Sequence, residues 1–164
     1  MTEEDKSIKI EFSLTQQDFV NAMLFHYSTH KKGPIFILLA FVIGYILYIT
    51  KAFTNNLQLN DIIFIALFLI VYLLVTIFSY KYHAKKQYAT SSVLKSSYVL
   101  IIKDTELLYS YELGESKIKW EAIVKTINNN HFYLLYTSNS NFLIIPKKVM
   151  NKKEIKIFDN YIKP

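Results

Sequence analysis

The sequence predicts a membrane α+β protein. A two-helix transmembrane hairpin is inserted into an antiparallel β-sheet or partly open barrel that ends in a helix. Three observations carry this reading. Two long apolar runs, 34–50 (PIFILLAFVIGYILYIT) and 62–80 (IIFIALFLIVYLLVTIFSY), hold no charged residue and are separated by a short polar gap. A segment of strict apolar–polar alternation precedes them. A series of short β-rich segments, punctuated by turn residues, follows them.

The first 32 residues read as a strand and an amphipathic helix. Ile8, Ile10 and Phe12 alternate with Lys9, Glu11 and Ser13, the period of a half-buried strand. Thr15 has the character of an N-cap, with Asp18 three positions on completing a variant capping box. Phe19, Met23 and Tyr27, with Val20 and Leu24, then form an apolar stripe at helical spacing. A lone strand is unstable in water, so the segment from Ile8 to Phe12 should join the later sheet.

Residues 33–82 form the hairpin, with spans at 34–50 and 62–80. At ~1.5 Å per residue these reach about 26 and 28 Å, against a hydrocarbon core of ~30 Å. The first run begins after 33 residues that include Glu3, Glu4 and Asp5, unlike the short basic start of a secretory signal. Lys31 and Lys32 abut the first span, and Lys81, Lys85 and Lys86 follow the second. The connecting loop holds only Lys51 and Asp61. Positive flanks around a neutral loop put both termini in the cytoplasm. Tyr45, Tyr48 and Phe53 at one end, and Tyr80 and Tyr82 at the other, suit interfacial aromatic belts. Ala40 and Gly44 form a small-xxx-small pair that permits close helix packing, in the hairpin or in a homodimer. The spans carry no ionisable residue, which argues against a transport path.

Residues 83–164 form the β-rich domain. After a lysine-rich helical extension, strands are expected at 98–102 and 107–111. Another is expected across Ile118, Trp120 and Ala122, and others at 132–136 and 142–145. Turns are expected at Asp104-Thr105, Gly114-Glu115 and Asn128 to Asn130. The alternation of 118, 120 and 122 places Trp120, the single tryptophan, in the core. Pro146 stops the last strand. Asn151 caps a final helix with Ile155, Phe158 and Ile162 on one face.

Three stretches carry a family resemblance: Phe12-Ser13-Leu14-Thr15 with Asp18-Phe19, Ile118-Lys119-Trp120 with Ile123, and 142–148 (FLIIPKK). The chain resembles the YcxB-like family of small bacterial membrane proteins. That resemblance implies an N-terminal strand and helix, two spans and a C-terminal domain of pleckstrin-homology-like (PH-like) character. It implies no catalytic residues.

The chemistry available is narrow. There is no cysteine, which removes thiolate metal sites and cysteine nucleophiles. All 19 basic residues are lysine, so no guanidinium can clamp a phosphate bidentately. The three glycines are isolated and make no phosphate loop. His26 and His30 stand one helical turn apart, but the spacing lacks an intervening carboxylate and is followed by Lys31 and Lys32. No cofactor or metal is expected, and the protein is read as non-enzymatic.

Lys147, Lys148, Lys152, Lys153 and Lys156 concentrate charge near the C-terminus and are candidate contacts for anionic headgroups or a partner. From residue 81 onward 14 lysines face 7 carboxylates, an excess of +7. A membrane anchor and the lack of arginine argue against nucleic acid as the partner. The expected function is that of a bacterial inner-membrane protein presenting a cytoplasmic PH-like interaction domain to a protein partner or the anionic membrane face. The alternative is an immunity protein that protects its producer from a membrane-acting bacteriocin or secreted toxin.

Overall fold

The computed structural model describes residues 7–30, 33–52 and 59–162. The chain divides into two compact units, one of Met1–Ala22 with Lys85–Pro164 and one of Met23–Ala84. The first turns of the N-terminal helix therefore belong with the C-terminal half, and the apolar hairpin is the insertion between them.

In the first unit, strand β1 (Ile8–Ser13) pairs antiparallel with β2 (Ser97–Ile102), setting Ile10 against Leu100 and Phe12 against Tyr98. Strands β3 (Glu106–Tyr111) and β4 (Gly114–Lys119) complete a four-stranded sheet in the order β1-β2-β3-β4. The alternation read from the sequence is the alternation of burial. Ile10, Phe12, Tyr98, Leu100, Ile102 and Leu107 are buried, while Lys9, Glu11 and Ser13 face water. A three-stranded antiparallel sheet follows, β5 (Lys125–Asn128), β6 (Phe132–Tyr136) and β7 (Phe142–Pro146). Every residue of β6 is buried, which explains why this central strand reads as a continuous apolar run. A short helix α4 (Ser92–Lys95) leads into β2, and helix α5 (Lys152–Tyr161) closes the unit, its Phe158 fully buried.

One strand departs from expectation. The stretch Ile118–Ala122 does not continue as a strand: β4 ends at Lys119, and Trp120–Ala122 form a single 3-10 turn. The chain leaves the first sheet there and enters β5, a strand the sequence reading did not contain. Lys125–Asn128 is short and has no buried residue, so it lacks the alternation that marks a strand.

Helix α1 (Gln16–His30) begins with the anticipated reciprocal cap. The Asp18 amide donates to Thr15 Oγ1 at 3.1 Å, and the Thr15 amide donates to Asp18 Oδ2 at 3.2 Å. Phe19, Val20 and Ala22 are buried. The Tyr88 hydroxyl donates to the Leu14 carbonyl at 2.7 Å, fastening the two chain segments that flank the insertion.

In the second unit, α2 (Gly33–Ala52) contains the run 34–50, and α3 (Leu59–Thr90) contains the run 62–80. The sequence leads to an expectation of two spans. Among the described residues one helix, Ala66–Thr90, is long and apolar enough to cross a membrane, and none of its apolar window is buried within the chain. The span expected at 34–50 falls in α2, several of whose side chains lie outside the described residues. Phe64, Leu67, Phe68, Ile70, Val75 and Phe78 are all more than half exposed. An exposed apolar surface of this size marks a face that meets a membrane or another protein. Lys31, Lys32, Phe53 and the loop 53–58 lie outside the described residues, as do the side chains of Ala40 and Tyr48.

Candidate functional site

The five lysines singled out in the sequence separate into two groups. Asn151 starts α5 by accepting the amides of Lys153 and Glu154 at 2.9 and 3.0 Å, while the Asn151 amide donates to Glu154 Oε2 at 2.7 Å. This capping box consumes Glu154. The other carboxylate of the helix, Asp159, accepts the Tyr133 hydroxyl at 2.7 Å and ties α5 to β6. Burial, with the carboxylate of Asp159 as its hydrogen-bond acceptor, pushes the Tyr133 hydroxyl well above its ordinary value. Both acids of α5 are thus committed to structure. Lys152, Lys153 and Lys156 are exposed, and no ion pair among the described residues engages them. They share one arc of the helix, Lys152 and Lys156 about one turn apart with Lys153 beside them, next to the exposed Ile157.

Lys147 and Lys148 are not part of that face. The Lys147 ammonium lies 4.1 Å from the centre of the Tyr133 ring and 3.3 Å from Asn128 Oδ1. Lys148 pairs with Asp18 at 2.7 Å. Burial raises the Asp18 carboxyl, but the Lys148 ammonium and the Thr15 hydroxyl and amide outweigh it, and its pKa lies below the usual 3.8. The five-lysine cluster is therefore a three-lysine face plus two structural contacts. Nothing in the sequence distinguished them, because Asp18 and Lys148 lie 130 residues apart.

Trp120 is half-buried and lies at the edge of the core, not within it, because the 3-10 turn lifts it out of the strand pleat. Its ring stacks on Tyr161 at 5.2 Å with 5° between planes and meets Phe158 edge-on at 6.1 Å. Its Nε1–H donates to the Lys103 carbonyl at 2.9 Å. The Tyr161 hydroxyl donates to Asp104, which holds the tyrosine in place and raises its pKa. Among the described residues Gly44 makes no close approach: a Cβ built there would meet nothing within 4 Å. The side chain of its partner in the expected small pair, Ala40, lies outside the described residues.

Residues 102–162 match the model of a family described as YcxB-like protein. Over this stretch the chain is similar to the YcxB-like family. The YcxB-like region runs from the end of β2 through α5 and holds two of the three motifs that carried the resemblance, Ile118-Lys119-Trp120 with Ile123 and 142–148. The opening motif around Phe12 to Phe19 lies outside it. In three dimensions, the first motif makes the turn that carries Trp120, and the second forms β7 and the approach to α5. No curated protein and no solved structure matches the chain.

Proposed function

We propose that this chain is a bacterial inner-membrane protein whose cytoplasmic, PH-like domain rests on anionic lipid headgroups through α5. The single observation that carries this reading is the α5 face itself. Lys152, Lys153 and Lys156 are exposed together, and both acids of the helix are turned to internal hydrogen bonds. The four-plus-three antiparallel strands closed by a C-terminal helix support the PH-like assignment. The exposed apolar surface of α3 supports the anchor. Lysines close to an anionic surface contribute about 1 kcal/mol each, so three contribute up to about 3 kcal/mol. No bidentate geometry is required for such a contact, which fits an all-lysine protein. The function is adhesion and presentation, without chemistry.

The test is lysine-acetylation footprinting of the full chain in nanodiscs of anionic or zwitterionic lipid. Lys152, Lys153 and Lys156 should be protected in the anionic discs and labelled in the neutral ones, and raised salt should abolish the difference. Lys147 and Lys148 should label alike in both. Equal labelling of the three α5 lysines in the two lipids refutes the reading.

A further inference from the structure

The two sheets of the first unit are not joined between β4 and β5; each of these strands is an edge of its own sheet. A groove of about 640 Å³ runs along β5, lined by Trp120, Val124, Lys125, Thr126, Tyr161 and Ile162 among others. None of the three α5 lysines lines it. Its lining mixes apolar side chains with the polar Lys125, Thr126 and Asn128, and Val124 is 65% exposed although it is apolar.

The backbone along this edge is set by the hairpin that follows. The Asn129 amide donates to the Phe132 carbonyl at 3.1 Å, and the register runs on as Asn128 with Tyr133, Ile127 with Leu134 and Thr126 with Leu135. Hydrogen-bonded and non-bonded pairs alternate along an antiparallel ladder. Ile127 and Lys125 therefore turn their N–H and C=O groups toward β6, and Thr126 and Asn128 turn theirs to the open edge. Such an edge is a template for another strand. Lys125 is the ionised group among the lining residues, and the nearby Asp104 is held by the Tyr161 hydroxyl. The occupant that fits is extended, apolar on the side facing Trp120 and Tyr161, and negatively charged opposite Lys125.

We propose that this groove binds an extended acidic peptide segment of a protein partner, which adds to the edge of β5 as a further antiparallel or parallel strand. The site is separate from the lipid face of α5 and stands whether or not that face meets lipid.

The experiment is a selection of randomised displayed peptides on the full chain in zwitterionic nanodiscs, with empty discs as the background. Enriched peptides should interleave acidic residues with β-branched or aromatic ones. A synthetic copy should slow hydrogen exchange at the Thr126 and Asn128 amides. Thr126→Pro removes the edge donor, and Lys125→Glu reverses the charge. Each should weaken binding by about tenfold or more, the scale of one charge-assisted hydrogen bond. Thr126→Val keeps the donor and should bind as the parent does, and an unchanged near-ultraviolet dichroism spectrum of Thr126→Pro separates lost binding from lost folding. No enrichment over empty discs overturns the proposal. So does binding that survives both Thr126→Pro and Lys125→Glu, or that is lost only when Lys152, Lys153 and Lys156 become Gln. A concentration-dependent dimer in light scattering that Thr126→Pro dissolves would assign the edge to a second copy of this chain, and would likewise overturn it.

Discussion

Trp120 shows how a single side chain can look like core in sequence and behave differently in space. Its indole is shared between a stack on Tyr161 and a hydrogen bond to Lys103, with one edge open to solvent. Trp120→Ala should therefore cost about 2 kcal/mol, below the 3–5 kcal/mol of a fully buried aromatic. Trp120→Phe keeps the stack, loses the Nε1 donor and should cost about 1 kcal/mol. Thermal unfolding followed by near-ultraviolet dichroism in detergent would read both; equal losses would mean the stack contributes nothing. Asp18 is the counterpart in electrostatics. Its native pKa lies below the ordinary 3.8, so the native state favours the ionised form more than the unfolded chain does. Its contribution stands in full at neutral pH and is lost as the pH falls below 3.8 through the lowered native value. Asp18→Ala should cost about 1 kcal/mol at pH 7, from the cap and the partly exposed Lys148 pair together. The difference from the parent should shrink in acid, and a difference independent of pH would remove the carboxylate from the account.

At the scale of elements, β1 is the strand whose role depends most on distant residues. It is separated from its sheet partner, β2, by the whole insertion. Phe12 is buried against Tyr98 with ring centres 5.3 Å apart. Phe12→Ala should destabilise the first unit by about 3–5 kcal/mol. Hydrogen exchange should then speed up across Ser97–Ile102, a segment remote in sequence, while β6 amides change less. Unchanged exchange in β2 would mean that β1 is an accessory strand. The existence of β1, α1, β6 and α5 was legible because alternation, a capping pair and a continuous apolar run are local signals. β5 was illegible because an exposed edge strand carries no burial pattern, and the end of β4 was misplaced because a 3-10 turn keeps the spacing of 118 and 120 intact.

For the whole molecule, the arrangement that matters is an apolar hairpin inserted into a folded unit. Lysines flanking both apolar runs lead to the expectation that the two ends of the chain lie on one side of a membrane. Reporter fusions at residues 1 and 164 should both read cytoplasmic, and a tag near Asn56 should be accessible from outside. Ends on opposite sides would exclude the hairpin, because β1 and β2 must meet in one compartment to pair.

What the sequence by itself determined is whatever depends on neighbours along the chain. These are the apolar helices, the capped starts of α1 and α5, the alternating strands and the all-lysine character that leaves charge without directional recognition. What only the tertiary structure decided is which charges are free and which edges are open. Lys148 is spent on Asp18, Lys147 on Tyr133 and Asn128, and both carboxylates of α5 on internal bonds, so that of the five C-terminal lysines singled out in the sequence Lys152, Lys153 and Lys156 remain as a surface. The open flank of β5 likewise exists only because the chain turns at Trp120 and starts a second sheet. The physical reason is the same in each case. A side chain's solvation and a strand's unpaired hydrogen bonds are fixed by partners brought from far along the chain, and no local pattern records them.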